Sequence, residues 1–418
     1  MIQRIKGTND FLDLTLHNFV IEKLTRHLDV YHFNQIMTPI IEPTELFVRS
    51  LGTHTDVISK EMFIIKSRDD QAESICLRPE ITAPTVRAFI ENHIQSFPWK
   101  VFSYGPVFRY ERPQKGRYRQ FHQFNIEVIG SAAVEEDVQM IKMLDRFFHE
   151  TLRINSFALQ INYLGCHEDR LRYKATLVNF LTGAKAQGIC NLCKDRTEKN
   201  PLRVLDCKVP TCIEIYQNAP NIPESLCQHC KQEWIKLQHD LELLSVSFVV
   251  NTKLVRGLDY YCRTVFEFVS GKLGAQNAFC AGGRYDQLAK ELGGSEDQPS
   301  IGAAIGLERL MLLLEEFKDN LQIPPKPALY VITPLSKQQY ALALLLADEL
   351  QAQSLCTDIV LAGESVKSVM KKANKMGATY ALILGEDEQK AHQVTVKNMT
   401  TGAEEKIAQA KVIEYLKK

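Results

Sequence analysis

The chain reads as an α+β domain built on an antiparallel sheet and interrupted by a helical, cysteine-rich insertion, followed by a small α/β domain. Three observations predict this. Two long strand patterns, 101–111 and 120–130, follow one another across a turn instead of alternating with helices. Pro324, Pro325 and Pro327 stiffen the segment Leu321–Pro327, which suits neither a helix nor a central strand and marks a linker over 322–327. Beyond it, short apolar strands and periodic helices alternate from 328 to 418. The length agrees, since 418 residues exceed the ~250–300 at which single cores stop growing.

In chain order, the pattern predicts a helix over about 15–31, then a strand over 37–42 that Pro39 interrupts. Ala83, Val86, Ile90 and Ile94 give the next helix an inward stripe, with Pro79 fitting its first turn. The strands 101–111 and 120–130 follow. Between about 168 and 240 the texture changes to charged helical stretches holding six of the eleven cysteines, which reads as an insertion into a first domain spanning 1–321. A strand over 264–269 and an apolar helix from Leu310 complete that domain. After the linker come a strand over 329–333, a helix over 337–351, a strand over 357–361, a basic helix over 365–376, strands over 380–384 and 393–397, and a last helix to Lys418.

At 45% hydrophobic and 24% charged residues the composition is globular and excludes a disordered or fibrous chain. Lys+Arg and Asp+Glu balance at 50 each, so a polyanion must be met by local patches. No apolar run approaches the ~18–20 residues of a membrane helix, and the start MIQRIKGTNDFLD has no apolar signal core. Eleven cysteines in that setting predict a reducing cytosol, where thiols stay free or bind metal.

The stretch Gly105–Gly130, GPVFRYERPQKGRYRQFHQFNIEVIG, carries the most chemistry. Alternation places Val107, Arg109 and Glu111 on one face of the first strand, with Phe108 and Tyr110 opposite. In the second, Phe121, Gln123, Asn125 and Glu127 share a face against apolar Phe124, Ile126 and Val128. A polar sheet face can simply meet water. The loop between adds Arg112, Lys115, Arg117 and Arg119 without an acid, which suits a polyphosphate or a nucleic-acid end. In Leu77–Ala83, Glu80 and Thr82 stand at a helix start, available to a ligand or serving the helix dipole alone. Arg256, Tyr260 and Tyr261 in LVRGLDYY bring a cation beside phenols, or fill a core. Arg309 opens an apolar helix after small residues, a site for an anion, and AGGRYD around Tyr285 is a glycine turn.

In their order, KGTNDF, RPEITA, FRYERPQKGRYRQFHQ, LVRGLDYY, AGGRYD, GLERL and the C-terminal GATYALILGEDE resemble the class II aminoacyl-tRNA synthetases, most specifically the histidyl-tRNA synthetase family, over nearly the whole chain. The resemblance implies ATP and Mg²⁺, histidine and its tRNA, a homodimer through the region around Met37–Phe47, a cytoplasmic setting without a membrane, and an anticodon-binding role for 328–418. It implies that Arg109 holds the α-phosphate and Glu111 reads the adenine amino group. Arg309 stacks near the adenine, and Arg117 reaches the outer phosphates. Glu80, Thr82 and Gln123 hold the ammonium and carboxylate of histidine. Glu127 and Tyr261 bond its imidazole nitrogens, with Tyr260 and Tyr285 closing that pocket. Arg256 acts on the α-phosphate beside the attacking carboxylate, and Arg112, Lys115 and Arg119 are left for tRNA. Ile81 and Pro84 depart from the small residues of the family's helix start, and Tyr110 has no role assigned.

Cys190 and Cys193 with Cys227 and Cys230 pair like a zinc ribbon, but across a gap longer than the usual ~15–20 residues, and Cys207 and Cys212 leave the ligand set ambiguous. A structural zinc on those four is the less favoured expectation. His54 and His122 read as structural. Lys367, Lys371, Lys372 and Lys375 make a basic helix face that either meets phosphates or is solvated. Two rivals remain. A regulatory paralogue in histidine biosynthesis lacks the C-terminal domain and the cation loop, and an RNA-binding scaffold has lost catalysis.

Overall fold

Leu16, Phe19, Val20, Leu24 and Leu28 recur at helical spacing and bury one face of the first helix, α1 (Thr15–Val30). The computed structural model describes residues 2–52, 55–66, 73–183, 187–274, 277–361 and 365–417. His54 and Lys418 lie outside these. Contacts divide the chain into two units, Met1–Gln322 and Ile323–Lys418.

After β1 (Asn34–Gln35), the expected 37–42 strand shrinks to β2 (Ile41–Pro43), which leads into α2 (Thr44–Leu51). Pro39 has no N–H to give a ladder, and the carbonyls of Thr38 and Pro39 accept instead from the Arg78 guanidinium at 3.0 and 3.3 Å. β3 (Phe63–Ile65) and β4 (Ile75–Leu77) complete a small antiparallel sheet with β2. The next helix, α3 (Thr82–Glu91), starts three residues later than Pro79 suggests. Its start is set by Glu80, whose carboxylate accepts from the N–H groups of Thr82 and Ala83 at 2.6 and 2.8 Å.

β5 (Trp99–Phe108) and β6 (Gln120–Ile129) pair antiparallel, with Val101 opposite Glu127 and Gly105 opposite Gln123. The first strand ends before Arg109 and Glu111. Arg109 N–H still donates to Arg119 at 2.9 Å, but Glu111 N–H turns back to the Arg109 carbonyl, so the backbone leaves the sheet at the Pro113–Gly116 loop. Next come α4 (Val134–Arg146), β7 (Ala158–Tyr163) and the insertion helices α5 (His167–Thr182), α6 (Asn191–Lys199), α7 (Pro210–Gln217) and α8 (Gln228–Leu243). The chain then returns through β8 (Val249–Val250), β9 (Cys262–Val269), β10 (Ala278–Arg284), α9 (Leu288–Glu291), β11 (Ser300–Gly306) and α10 (Leu307–Leu314). The main sheet runs β1-β5-β6-β11-β10-β9-β7-β8 and is antiparallel except at its two short edge pairs, as the sequence predicts. The Phe102 and Phe124 rings stack at 5.3 Å on its apolar face. The other face does not meet water at Asn125 and Glu127, because the start of α3 covers both.

In the second unit β12 (Tyr330–Pro334), α11 (Tyr340–Ala352), β13 (Thr357–Ile359), α12 (Val366–Lys375) and β14 (Tyr380–Leu384) form the parallel part, ordered β13-β12-β14. α12 starts on a Ser365 cap, and its Val369 and Ala373 are buried while Lys367, Lys371, Lys372 and Lys375 are exposed. α13 (Glu386–Lys390) precedes β15 (Gln393–Asn398). The expected long last helix is instead a strand, β16 (Glu404–Ala408), and a short helix, α14 (Val412–Leu416). Val394 and Val396 of β15 are buried, so this strand needs a partner edge and β16 supplies it.

Candidate active site

A cavity of about 670 Å³ opens on the polar face of the main sheet. Glu80, Thr82, Arg109, Glu111, Arg117, Gln123, Arg256, Tyr260, Tyr261 and Arg309 all line it. They come from the start of α3, the β5–β6 loop, β6, residues 254–261 and α10, segments far apart in sequence. Ten expected positions thus meet in one hollow. Glu127 and Tyr285 do not line it and lie one layer beneath.

That layer is closed by hydrogen bonds. Glu127 accepts from the Thr82 hydroxyl at 2.7 Å, the Tyr285 hydroxyl at 2.5 Å and the Asn125 amide at 3.3 Å. Burial pushes its carboxyl up to about 8 against these donors, with the Glu80 charge adding to the rise. Gly302 faces it across β11, where a Cβ would overlap the carboxylate. Glu80 is likewise raised by burial, against the two backbone donors that hold it. Tyr260 packs on Tyr261 at 4.5 Å and on Tyr285 at 5.7 Å. Gln123 lines the cavity, and its Oε1 is buried without a hydrogen-bond partner.

At the other end cations converge. Arg109 Nε donates to the Pro79 carbonyl at 2.9 Å, and its guanidinium lies 5.4 Å above the Phe121 ring; burial lowers its pKa. Arg309 donates to the carbonyls of Gly116 at 3.0 Å and Ala278 at 2.9 Å. Burial, then the charges of Arg109 and Arg117, bring it down to about 10. Burial also works against Arg256, but Glu267 and the two tyrosines outweigh it and hold this guanidinium above its ordinary value. Arg256 pairs with Glu267 and stands over the Tyr261 ring at 5.5 Å.

The loop is not without acids, contrary to its local sequence. Arg117 pairs with Glu111 and approaches Glu61 at 3.8 Å, because the fold brings the residue Glu61 alongside. Arg112 and Lys115 are exposed, Arg119 stacks on Tyr110 at 3.8 Å, and none of the three lines the cavity. His122 is held by Glu308 at 2.8 Å. The expected cysteine set regroups. Cys190 and Cys193 lie with Cys207 and Cys212, whereas Cys227 and Cys230 lie with Cys166 and Asp169. Cys190 stands at the start of α6 and Cys227 at the start of α8, and each pair finds its partners in a different part of the insertion.

Sequence reasoning missed Glu267, the partner of Arg256, although a lone carboxylate in the apolar run CRTVFEFV was a signal. It also missed Arg203, Asp206 and Lys208, which line the cavity from the insertion. Nothing in their local pattern points there.

A family model described as Histidyl-tRNA synthetase matches residues 16–310. The chain belongs to the histidyl-tRNA synthetase family. A second model, described as Anticodon binding domain, matches residues 330–418. Within the family, the Histidine--tRNA ligase of Nitratidesulfovibrio vulgaris strain DP4 is 44% identical over 419 residues, covering 99% of this chain and 98% of the relative. That of Syntrophotalea carbinolica is 41% identical over 412 residues, covering 97% and 96%. The crystal structure of apo S. aureus histidyl-tRNA synthetase superposes with a TM-score of 0.81 at 30% identity, with both chains fully covered.

Proposed function

We propose that the chain is a histidine–tRNA ligase, an enzyme that joins histidine to AMP and then to the 3′ end of its tRNA. The histidine carboxylate attacks the α-phosphorus of ATP, the bond to the β-phosphate oxygen breaks, and pyrophosphate leaves. A ribose hydroxyl of the tRNA terminus then takes the acyl group and AMP departs. The observation that carries this reading is the meeting of Arg109, Arg256 and Arg309 in one cavity with Glu80, Thr82, Gln123 and Tyr261. No side-chain nucleophile is needed, because positioned cations oppose the charge that builds on the phosphoryl oxygens.

In this reading Arg109 and Arg256 bracket the α-phosphate and Arg309 lies by the adenine. Glu111 is engaged by Arg117, so reading the adenine amino group requires Arg117 to swing away, toward the outer phosphates it is proposed to hold. Contact between Glu127 and an imidazole requires the layer of Thr82 and Asn125 to open. An amino acid that draws Thr82 and Asn125 away from Glu127 without an imidazole N–H to replace them leaves that carboxyl short of donors, which favours histidine without an editing site. Among the described residues no group of three carboxylates in the cavity gathers to hold Mg²⁺. An ion arriving with the nucleotide would therefore be held chiefly by its phosphates.

The domain roles follow: catalysis in 1–321 with the insertion at about 168–240, a linker at 322–327, and anticodon binding in 328–418. The exposed Lys face of α12, and Arg112, Lys115 and Arg119, are proposed to meet tRNA. Met37, Ile40 and Ile41 expose apolar surface, which supports pairing with a second copy there. A cytoplasmic setting is proposed with these substrates; among the described residues no helix is long and apolar enough to cross a membrane. Histidine-dependent ATP–pyrophosphate exchange tests the whole reading. Exchange is expected with histidine and absent without it, and a chain that does not exchange is a regulatory paralogue or a scaffold instead.

A further inference from the structure

We propose that Cys190, Cys193, Cys207 and Cys212 bind one zinc ion, and that this ion supports the cavity wall carrying Arg256. The four sulfurs lie within 4.8 Å of one another, and none is in a disulfide. Cys190 Sγ and Cys207 Sγ are 3.9 Å apart. Zinc–sulfur bonds near 2.3 Å in a tetrahedron separate sulfurs by about 3.8 Å, so the spacing fits the ion.

Thiols packed as small apolar groups need no donors around them. Here N–H donors reach two of the four sulfurs, and a hydroxyl lies against a third. Cys190 N–H points at Cys212 Sγ at 3.2 Å, Val209 N–H at Cys207 Sγ at 3.5 Å, and the Tyr216 hydroxyl lies 2.9 Å from Cys193 Sγ. Such donors favour charged thiolate ligands. Cys190 stands at the N-cap position of α6 and Cys212 in the first turn of α7, so two helix starts also adjoin the cluster.

The second group, Cys166, Asp169, Cys227 and Cys230, is different. Its Asp169 carboxylate already accepts from the N–H groups of Cys166 at 3.2 Å and Cys227 at 2.9 Å, and pairs with Arg172. Those contacts explain its burial without an ion. The assignment therefore stays with the four thiols.

Their position gives the ion a consequence. Cys193 and Cys207 bracket the 3₁₀ segment Pro201–Asp206, from which Arg203, Leu205 and Asp206 line the cavity. Arg203 Nη1 donates to the Arg256 carbonyl at 3.2 Å, and the Asn200 amide reaches Asp259 at 2.7 Å. Clamping both ends of this segment steadies residues 256–259 from behind.

The test uses the full chain purified without chelator from zinc-supplemented medium. Elemental analysis should find about one more equivalent of zinc in the parent than in C190S/C212S, while C227S keeps that equivalent. Equal zinc in the parent and C190S/C212S, or none in the parent, overturns the site. Should C190S/C212S fail to fold, the parent is stripped and refilled with Co²⁺. A thiolate-to-Co²⁺ charge-transfer band and protection of Cys190 and Cys207 from alkylation are then expected, and free alkylation of both with metal present overturns the site. Stripping should also slow histidine-dependent exchange several-fold, restored by zinc alone, and exchange that is indifferent to zinc sinks the supporting role.

Discussion

At one end of the cavity Glu80 and Glu127 are buried among neutral donors, whereas at the other Arg109, Arg256 and Arg309 are drawn together, held by carbonyls and, at Arg256, by Glu267. The first arrangement keeps carboxyls inclined to hold their protons, Glu127 up to about 8. In the second, burial and then the charges of Arg109 and Arg117 bring Arg309 down to about 10. Burial weakens the charged form at both ends, and a like charge adds to it at each, Glu80 at Glu127 and then Arg109 with Arg117 at Arg309. The triphosphate proposed to bind there would offset the repulsion among the arginines, so that end gains when its ligand arrives. The end proposed for histidine is already hydrogen-bonded, and must exchange one set of hydrogen bonds for another.

The contrast can be broken most sharply at Arg256. R256A should slow single-turnover adenylate formation by about 10²–10³-fold, the usual cost of one lost charge-stabilising donor, while histidine binding stays measurable. An unchanged rate would remove Arg256 from the phosphate. E127Q acts at the other end and should raise the histidine KM by about 10–100-fold, with a smaller effect on ATP. It also carries a pH signature. The folded pKa of Glu127 stands above its ordinary 4.5, so between 4.5 and about 8 the folded chain holds a proton that the unfolded chain releases. The parent therefore loses stability as pH rises through that window, and E127Q should show a flatter profile of Tm against pH. G302A leaves both charge sets intact but presses a methyl on the Glu127 carboxylate, and should cost about 1–3 kcal/mol of stability in denaturant unfolding. The smallest effect belongs to R112A/K115A. These exposed cations should leave pyrophosphate exchange unaltered and raise the tRNA KM in a salt-dependent way. A fall in exchange would place them in the cavity after all.

Much of this was legible before any coordinates. The alternation of Gln123, Asn125 and Glu127 against Phe124, Ile126 and Val128 correctly predicts a strand with one polar and one apolar face. The same rule extends the first strand too far, since it ends at Phe108, yet Arg109 and Glu111 still reach the cavity from the chain that leads into the loop. It also cannot tell a polar face open to water from one roofed by α3, since the roof comes from residues 45 positions earlier. The C-terminal strand β16, EEKIA, has little apolar content and reads as helix, yet the buried face of β15 recruits it as a partner.

Periodicity and residue type by themselves determined the antiparallel sheet and the helical insertion, and the alternation of polar and apolar side chains along β6. These are short-range properties, set by backbone geometry within a few residues. Which cysteines share a cluster, that Glu267 holds Arg256, and that Glu127 lies beneath the cavity instead of in its wall were decided only by the tertiary structure. Each depends on segments brought together by burial of apolar surface, which favours contact without regard to distance along the chain.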